Sequence, residues 1–198
     1  AMDWVALGSF PKQSFSRPDL TWLIPGLLTG CLIGFLMFEW VDRRIVALII
    51  SLIALSFTAH FFLNRSKPGP TIPVSPVFGV AAGTAAGFTT FVAHAGGPPL
   101  ALYLLRRGLD KTAYAATSVV VFTVGNLVKL PGYVYSGLDE PQVFWKALIL
   151  FAAVPPGVWV GRRVLDRLPR ATIFTLCYVL VGLGSAKLFY DAVKALLV

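Results

Sequence analysis

Two glycines followed by two prolines interrupt a long apolar stretch, in the order His94-Ala95-Gly96-Gly97-Pro98-Pro99. Proline has no N–H to give a helix and its ring clashes with the turn before it; glycine adds backbone freedom. A helix entering this run must therefore break, leaving peptide groups without helical partners. N–H groups at the start of a resumed helix carry partial positive charge and favour anions. Gly96 and Gly97 expose theirs with no side chain in the way, and Pro98 and Pro99 suit the first turn of a helix resuming at Leu100. The run reads as a place where a hydrogen-bond-accepting anion could bind. The plainer alternative is a proline kink satisfied by neighbouring helices.

Other polar residues gather around this break. Thr89 and Thr90 precede it. His94 has an unperturbed pKa near neutrality, ~6.5, so it could donate to an anion or carry a proton; equally, it could sit neutral on a backbone carbonyl. Further on, Lys129 lies three residues beyond Asn126 and six beyond Thr123, so the three roughly share a helical face. A lysine within a membrane is costly and suggests function, although near the end of its run it could also reach the interface. The apolar runs themselves contain no acidic residue, which leaves His94 without a carboxylate for acid–base or nucleophilic work. Two histidines and the dispersed Cys31 and Cys177 form no metal constellation, and no Gly-Lys-Ser/Thr phosphate loop follows the glycines. No catalytic residue, metal or cofactor is expected.

The elements that must carry these residues follow from composition. Of 198 residues, 57% are hydrophobic and 13% charged, and mean hydropathy is +0.76. A soluble domain carries about a quarter charged residues, so a soluble enzyme and a disordered chain are both excluded. The fold class is all-α: a polytopic helical membrane protein embedded in a lipid bilayer. The net charge of +8 would suggest nucleic acid in a soluble protein. Here most basic residues sit in connections between apolar runs, where the positive-inside rule places them, so no nucleic-acid partner is expected.

Apolar runs cover Leu20–Phe38, Ile45–Leu63, Thr112–Leu130 (apart from Lys129), Phe144–Val160 (with Lys146 near its start) and, with Lys187 near its end, Ala171–Tyr190. Gly26, Gly30 and Gly34 recur every fourth residue, as do Gly79, Gly83 and Gly87, a spacing that lets helices approach closely in lipid. Asn64 to Pro76 holds four prolines and a glycine and reads as a loop. Pro131, Gly132 and Gly137 are expected to end the run from Thr112. A gapless shift of 127 residues places Gly30 on Gly157, Gly34 on Gly161 and Arg43 on Arg170. This suggests two repeats: residues 1–70 as the C-terminal part of a first, with two transmembrane helices, and residues 71–198 as a second, with the broken or re-entrant segment and three more helices.

Charge bears on whether Val77–Leu105 crosses the membrane. A full crossing puts nine basic residues on one side and five on the other; a re-entrant segment puts Lys12, Arg17, Arg65, Lys67, Arg106, Arg107, Lys111, Arg162, Arg163, Arg167 and Arg170 together against Arg43, Arg44 and Lys194. The second split, eleven to three, fits the positive-inside rule better and makes the repeats an inverted pair, a plan common in secondary transporters.

The stretch from Gly79-x3-Gly83-x3-Gly87 through His94-Ala-Gly-Gly-Pro-Pro-Leu-Ala-Leu-Tyr-Leu-Leu to Gly108-Leu-Asp-Lys-Thr-Ala-Tyr resembles the second-repeat signature of the TauE/SafE family. So do Asn126-Leu-Val-Lys129 and Pro25-Gly26-x3-Gly30-x3-Gly34. The resemblance implies a multi-pass protein of the cell inner (cytoplasmic) membrane that exports a small anion such as sulfite or an organosulfonate. Family members usually begin with two further helices, so the chain reads as lacking them. Carried onto this sequence, the substrate site comprises Thr89, Thr90, His94, Gly96, Gly97, Pro98, Pro99, Asn126 and Lys129, and a homo-oligomer is compatible with it. Two rivals stand beside this reading. One is a membrane-embedded enzyme using His94 on a lipid-linked substrate, with Asp110, Asp139 or Glu140 as the available carboxylates. The other is a non-transporting assembly subunit.

Overall fold

The computed structural model describes residues 2–11, 14–38, 40, 42–63, 73–135 and 151–197. Regular structure among them is entirely helical. It comprises α1 (Met2–Ser9), α2 (Arg17–Leu36), α3 (Arg43–Leu63), α4 (Pro76–Ala93), α5 (Gly97–Arg106), α6 (Lys111–Tyr135), α7 (Val154–Arg167) and α8 (Arg170–Leu197). Helices α2, α3, α4, α6 and α8 are long and apolar enough to cross a membrane. Outward-facing Leu32, Leu36, Ile53, Val77 and Leu183 are exposed, which suits a lipid surround.

The two glycine ladders face each other. A Cβ on Gly26 or Gly30 would fall onto the carbonyl oxygens of Val80 or Thr84, and one on Gly83 or Gly87 onto those of Leu23 or Leu27. Only glycine permits the backbones to come so near. The partners rise together along both chains, so α2 and α4 run parallel. Around them close Leu23, Leu27, Cys31, Ala86, Leu100, Tyr103, Leu104 and Val121. On the other flank α3 and α8 run antiparallel: Phe61 stacks on Tyr178 with ring centroids 3.6 Å apart, Thr58 packs on Gly182, and Arg44 donates to the Ala195 carbonyl.

Helix α5 turns back along α4. Gly96 packs on Ala86 and Thr90, the Tyr103 hydroxyl oxygen lies 3.5 Å from a Cβ built on Gly79, and Arg107 reaches Asp19 at the start of α2. Helix α5 therefore runs back beside α4 and ends next to the start of α2, at the face of the bundle that carries Arg17, Arg106, Arg107 and Lys111. Ties across that face hold it together: Lys111 Nζ donates to the Asp166 and Leu168 carbonyls at 3.0 and 2.7 Å, and Arg170 to that of Gly108 at 2.8 Å. With ten residues, α5 rises only about 15 Å, half of the ~30 Å hydrocarbon layer. Its first residues lie beside Ala86 and so level with Leu27, halfway along α2.

Two boundaries differ from expectation. Helix α6 does not stop at Pro131 but runs through it to Tyr135; a proline this late removes one hydrogen bond without unseating the turns before it. The expected Phe144–Val160 span does not reach Val160 unbroken. The chain turns at Ala153 and α7 starts afresh with Pro155 and Pro156 in its first turn, where their missing N–H groups cost nothing. The beginning of that span, Asp139, Glu140, and the expected repeat boundary at residues 70 and 71 lie outside the described residues.

Candidate functional site

The break after α4 is built by a few backbone decisions. His94 takes a left-handed conformation, φ 51° and ψ 27°, which stops the helix. Thr89 then closes the open end. Its carbonyl accepts the N–H of His94 and that of Ala95, the latter at 3.1 Å. Its hydroxyl lies 3.3 Å from the Ala86 carbonyl and 3.2 Å from that of Ala95, either of which it can donate to. Thr89, expected to meet the solute, is occupied in stitching the turn.

Gly96 and Gly97 differ sharply in surroundings. A Cβ on Gly96 would lie 2.7 Å from the Thr90 Cβ and 2.8 Å from the Ala86 oxygen, so the position admits glycine alone. A Cβ on Gly97 would meet nothing within 4 Å. Among the described residues, neither glycine's N–H donates to a protein atom, although the Gly96 carbonyl accepts from Leu100 N–H at 3.4 Å.

The expected site residues fall on two sides of this break. On one, His94, Gly97 and Pro98 line a cavity of about 500 Å³ between α5, α6 and α8, together with Ser118, Phe122 and Ser185. Here the Ser118 hydroxyl donates to the Tyr114 carbonyl at 2.8 Å, while Ser185, 1% exposed, has a buried hydroxyl with no partner among the described residues. On the other, Thr90, Gly96 and Asn126 surround a void of about 10 Å³, room for about one water. Beside it Lys129, 5% exposed, donates to the Thr90 hydroxyl at 2.9 Å. A buried lysine held this way lends its charge to the rear of the break. Pro99 is half-buried and lines neither space; Thr123, buried, back-bonds to the Val119 carbonyl at 2.7 Å.

Sequence reasoning missed Asp19. It found no acid within an apolar run, but Asp19, in the first turn of α2, is completely buried. It accepts from Ser16 Oγ at 2.6 Å, Tyr103 Oη at 2.7 Å and Arg107 Nε at 2.6 Å. The cluster pins the returning end of α5 to the start of α2. The signal available was Ser16-x-x-Asp19 ahead of an apolar run, a capping-box spacing. Ser185 gave no signal, being one small polar residue within an apolar run.

A multi-pass helical membrane protein is thus defined, with a broken helix pair, α4 and α5, whose junction borders an open cavity. The family model described as sulfite exporter TauE/SafE matches residues 2–188, and the chain belongs to that family. The family is one of membrane transporters for sulfite-type anions, so the partners of this chain are a small anionic solute and the lipid bilayer, and an enzymatic role on lipid-linked substrates is set aside. No curated protein and no solved structure gives a significant match to it.

Proposed function

We propose that the protein exports sulfite or a small organosulfonate across the cytoplasmic membrane, and that the oxyanion binds where α5 begins. The observation that carries this reading is the Gly97 N–H: it has no protein acceptor among the described residues, stands at the positive end of a helix near mid-membrane, and borders a cavity of about 500 Å³. An unsatisfied peptide group in hydrocarbon costs several kcal/mol, and an oxyanion supplies the missing acceptor. His94 lines the same cavity as a further donor, and Lys129 adds positive potential from behind. Residues 1–70 and 71–198 would then be parts of two inverted repeats, the hairpin belonging to the second.

Gly97→Val tests the site, because the added side chain enters open space and covers the amide without meeting a neighbour. In proteoliposomes the variant is expected to insert normally and to lose sulfite flux. Sulfite at 100 times its dissociation constant should stabilise the unaltered protein by about 2.7 kcal/mol, and the variant hardly at all. Normal flux through the variant would refute the site and favour a non-transporting assembly role, which tolerates such a change.

A further inference from the structure

We propose that the groove between α1, α6 and α7 holds an anionic phospholipid, its phosphate on Arg162 and an acyl chain along α7. The groove has a volume of about 540 Å³ and runs from Ala153 and Val154 to Leu165, with Phe10, Ala115 and Gly157 among its walls. Gly157 and Gly161 leave it open, since a Cβ on either would meet nothing within 4 Å. From Arg162 back to Val154, the stretch an acyl chain would follow, a helix rises about 12 Å, most of the hydrocarbon depth of one leaflet, half of ~30 Å.

Polarity in the groove is confined to one end. Ser9 donates its hydroxyl proton to the Ala6 carbonyl at 2.7 Å, which leaves Arg162 as the donor facing the space. The Arg162 side chain is 26% exposed, and its Nη1 is buried with no hydrogen-bond partner among the described residues. Its Nε lies 3.7 Å from Asp166 Oδ2, an ion pair too long for a hydrogen bond, and its guanidinium rests 4.5 Å from the Phe10 ring centroid. A cationic donor with no acceptor for one of its N–H groups is held at a cost, and a small turn of the half-buried guanidinium towards the groove would offer that group to a phosphate oxygen.

The position selects a lipid over a free anion. Arg162 stands near the end of α7, on the face that gathers Arg107, Lys111, Arg167 and Arg170, where basic pockets between helices attract anionic headgroups. Beside it Arg163 stacks over the exposed Trp159 at 5.3 Å, an interfacial pairing that sets the headgroup level. A free oxyanion would satisfy Arg162 yet leave the apolar groove empty. A zwitterionic lipid would fill the groove but bring its own cation towards Arg162. The site is separate from the α4–α5 break and shares no lining residue with its cavity.

Thermal unfolding of the detergent-purified chain tests this with three additives: dioleoylphosphatidylglycerol, dioleoylphosphatidylcholine and inorganic phosphate. Phosphatidylglycerol is expected to raise the unfolding midpoint clearly, phosphatidylcholine much less, and phosphate not at all. In Arg162→Met the apparent affinity for phosphatidylglycerol should fall at least tenfold. In Gly157→Leu, which fills the groove and leaves Arg162 in place, the increment should also shrink. Equal stabilisation by both lipids, an effect reproduced by phosphate alone, or an undiminished phosphatidylglycerol increment in either variant would overturn the proposal.

Discussion

Replacing Asp19 with alanine should loosen the hairpin from its anchor. The carboxylate is completely buried and takes three hydrogen bonds of 2.6 to 2.7 Å, from Ser16, Tyr103 and Arg107. Arg107 is itself only 10% exposed, so most of its charge stays out of water when its acidic partner goes. Removing one member of a buried ion pair costs about 3–5 kcal/mol, because the other charge stays where it was. Changing both members to apolar residues of similar size is much cheaper, so Asp19→Ala with Arg107→Met should recover part of the loss. The assay is unfolding in mixed micelles of rising SDS fraction, followed by tryptophan fluorescence; Trp22, whose Cβ lies against Gly79 one turn from Asp19, is well placed to report it. A loss below about 1 kcal/mol, or a double variant no more stable than Asp19→Ala alone, would show that the pair does not hold α5.

Three more expectations follow from the same contacts. Gly87→Ala places a methyl on the Leu27 carbonyl; helices α2 and α4 must part, at a cost of about 1–3 kcal/mol or more, read as a fall in the folded monodisperse fraction on size exclusion. Thr89→Val keeps the shape but removes the hydroxyl that serves the Ala86 and Ala95 carbonyls. It should cost about 1–3 kcal/mol in micelle unfolding, whereas Gly97→Val in the same assay should cost little. Lys129→Met withdraws the charge behind the break and the donor to Thr90; sulfite affinity should drop at least tenfold in a thermal-shift titration, and an unchanged affinity would take Lys129 out of the site.

Much of this was legible in the residues themselves. His94-Ala95-Gly96-Gly97-Pro98-Pro99 announces a break because its chemistry is local: missing donors and missing side chains act on their own turn. The glycine ladders likewise show that close helix contacts exist. That Gly26 and Gly30 meet Val80 and Thr84, with their helices parallel, depends on tertiary arrangement and has no local mark. The same limit hid the division of the site. Gly96 and Gly97 are chemically identical, yet one is walled in by Thr90 and the other opens on a cavity. Asp19 escaped because a charge at the edge of an apolar run reads as the end of that run; Tyr103 and Arg107, distant in sequence, help make its burial tolerable. Pro155 and Pro156 carry the same local signal as Pro98 and Pro99 and went unread because the flanking residues stay apolar.

The short reach of α5 has an electrical consequence. A helix that covers only half the membrane, anchored at one face by Arg107, offers its amides partway through the voltage drop. A monoanion travelling from either face to that point crosses about half the field, worth about 1.2 kcal/mol for every 100 mV. Occupancy from one side should therefore change about sevenfold per 100 mV, and in opposite senses from the two compartments. For an anion held at the proposed site, a resting potential negative inside would favour movement outward.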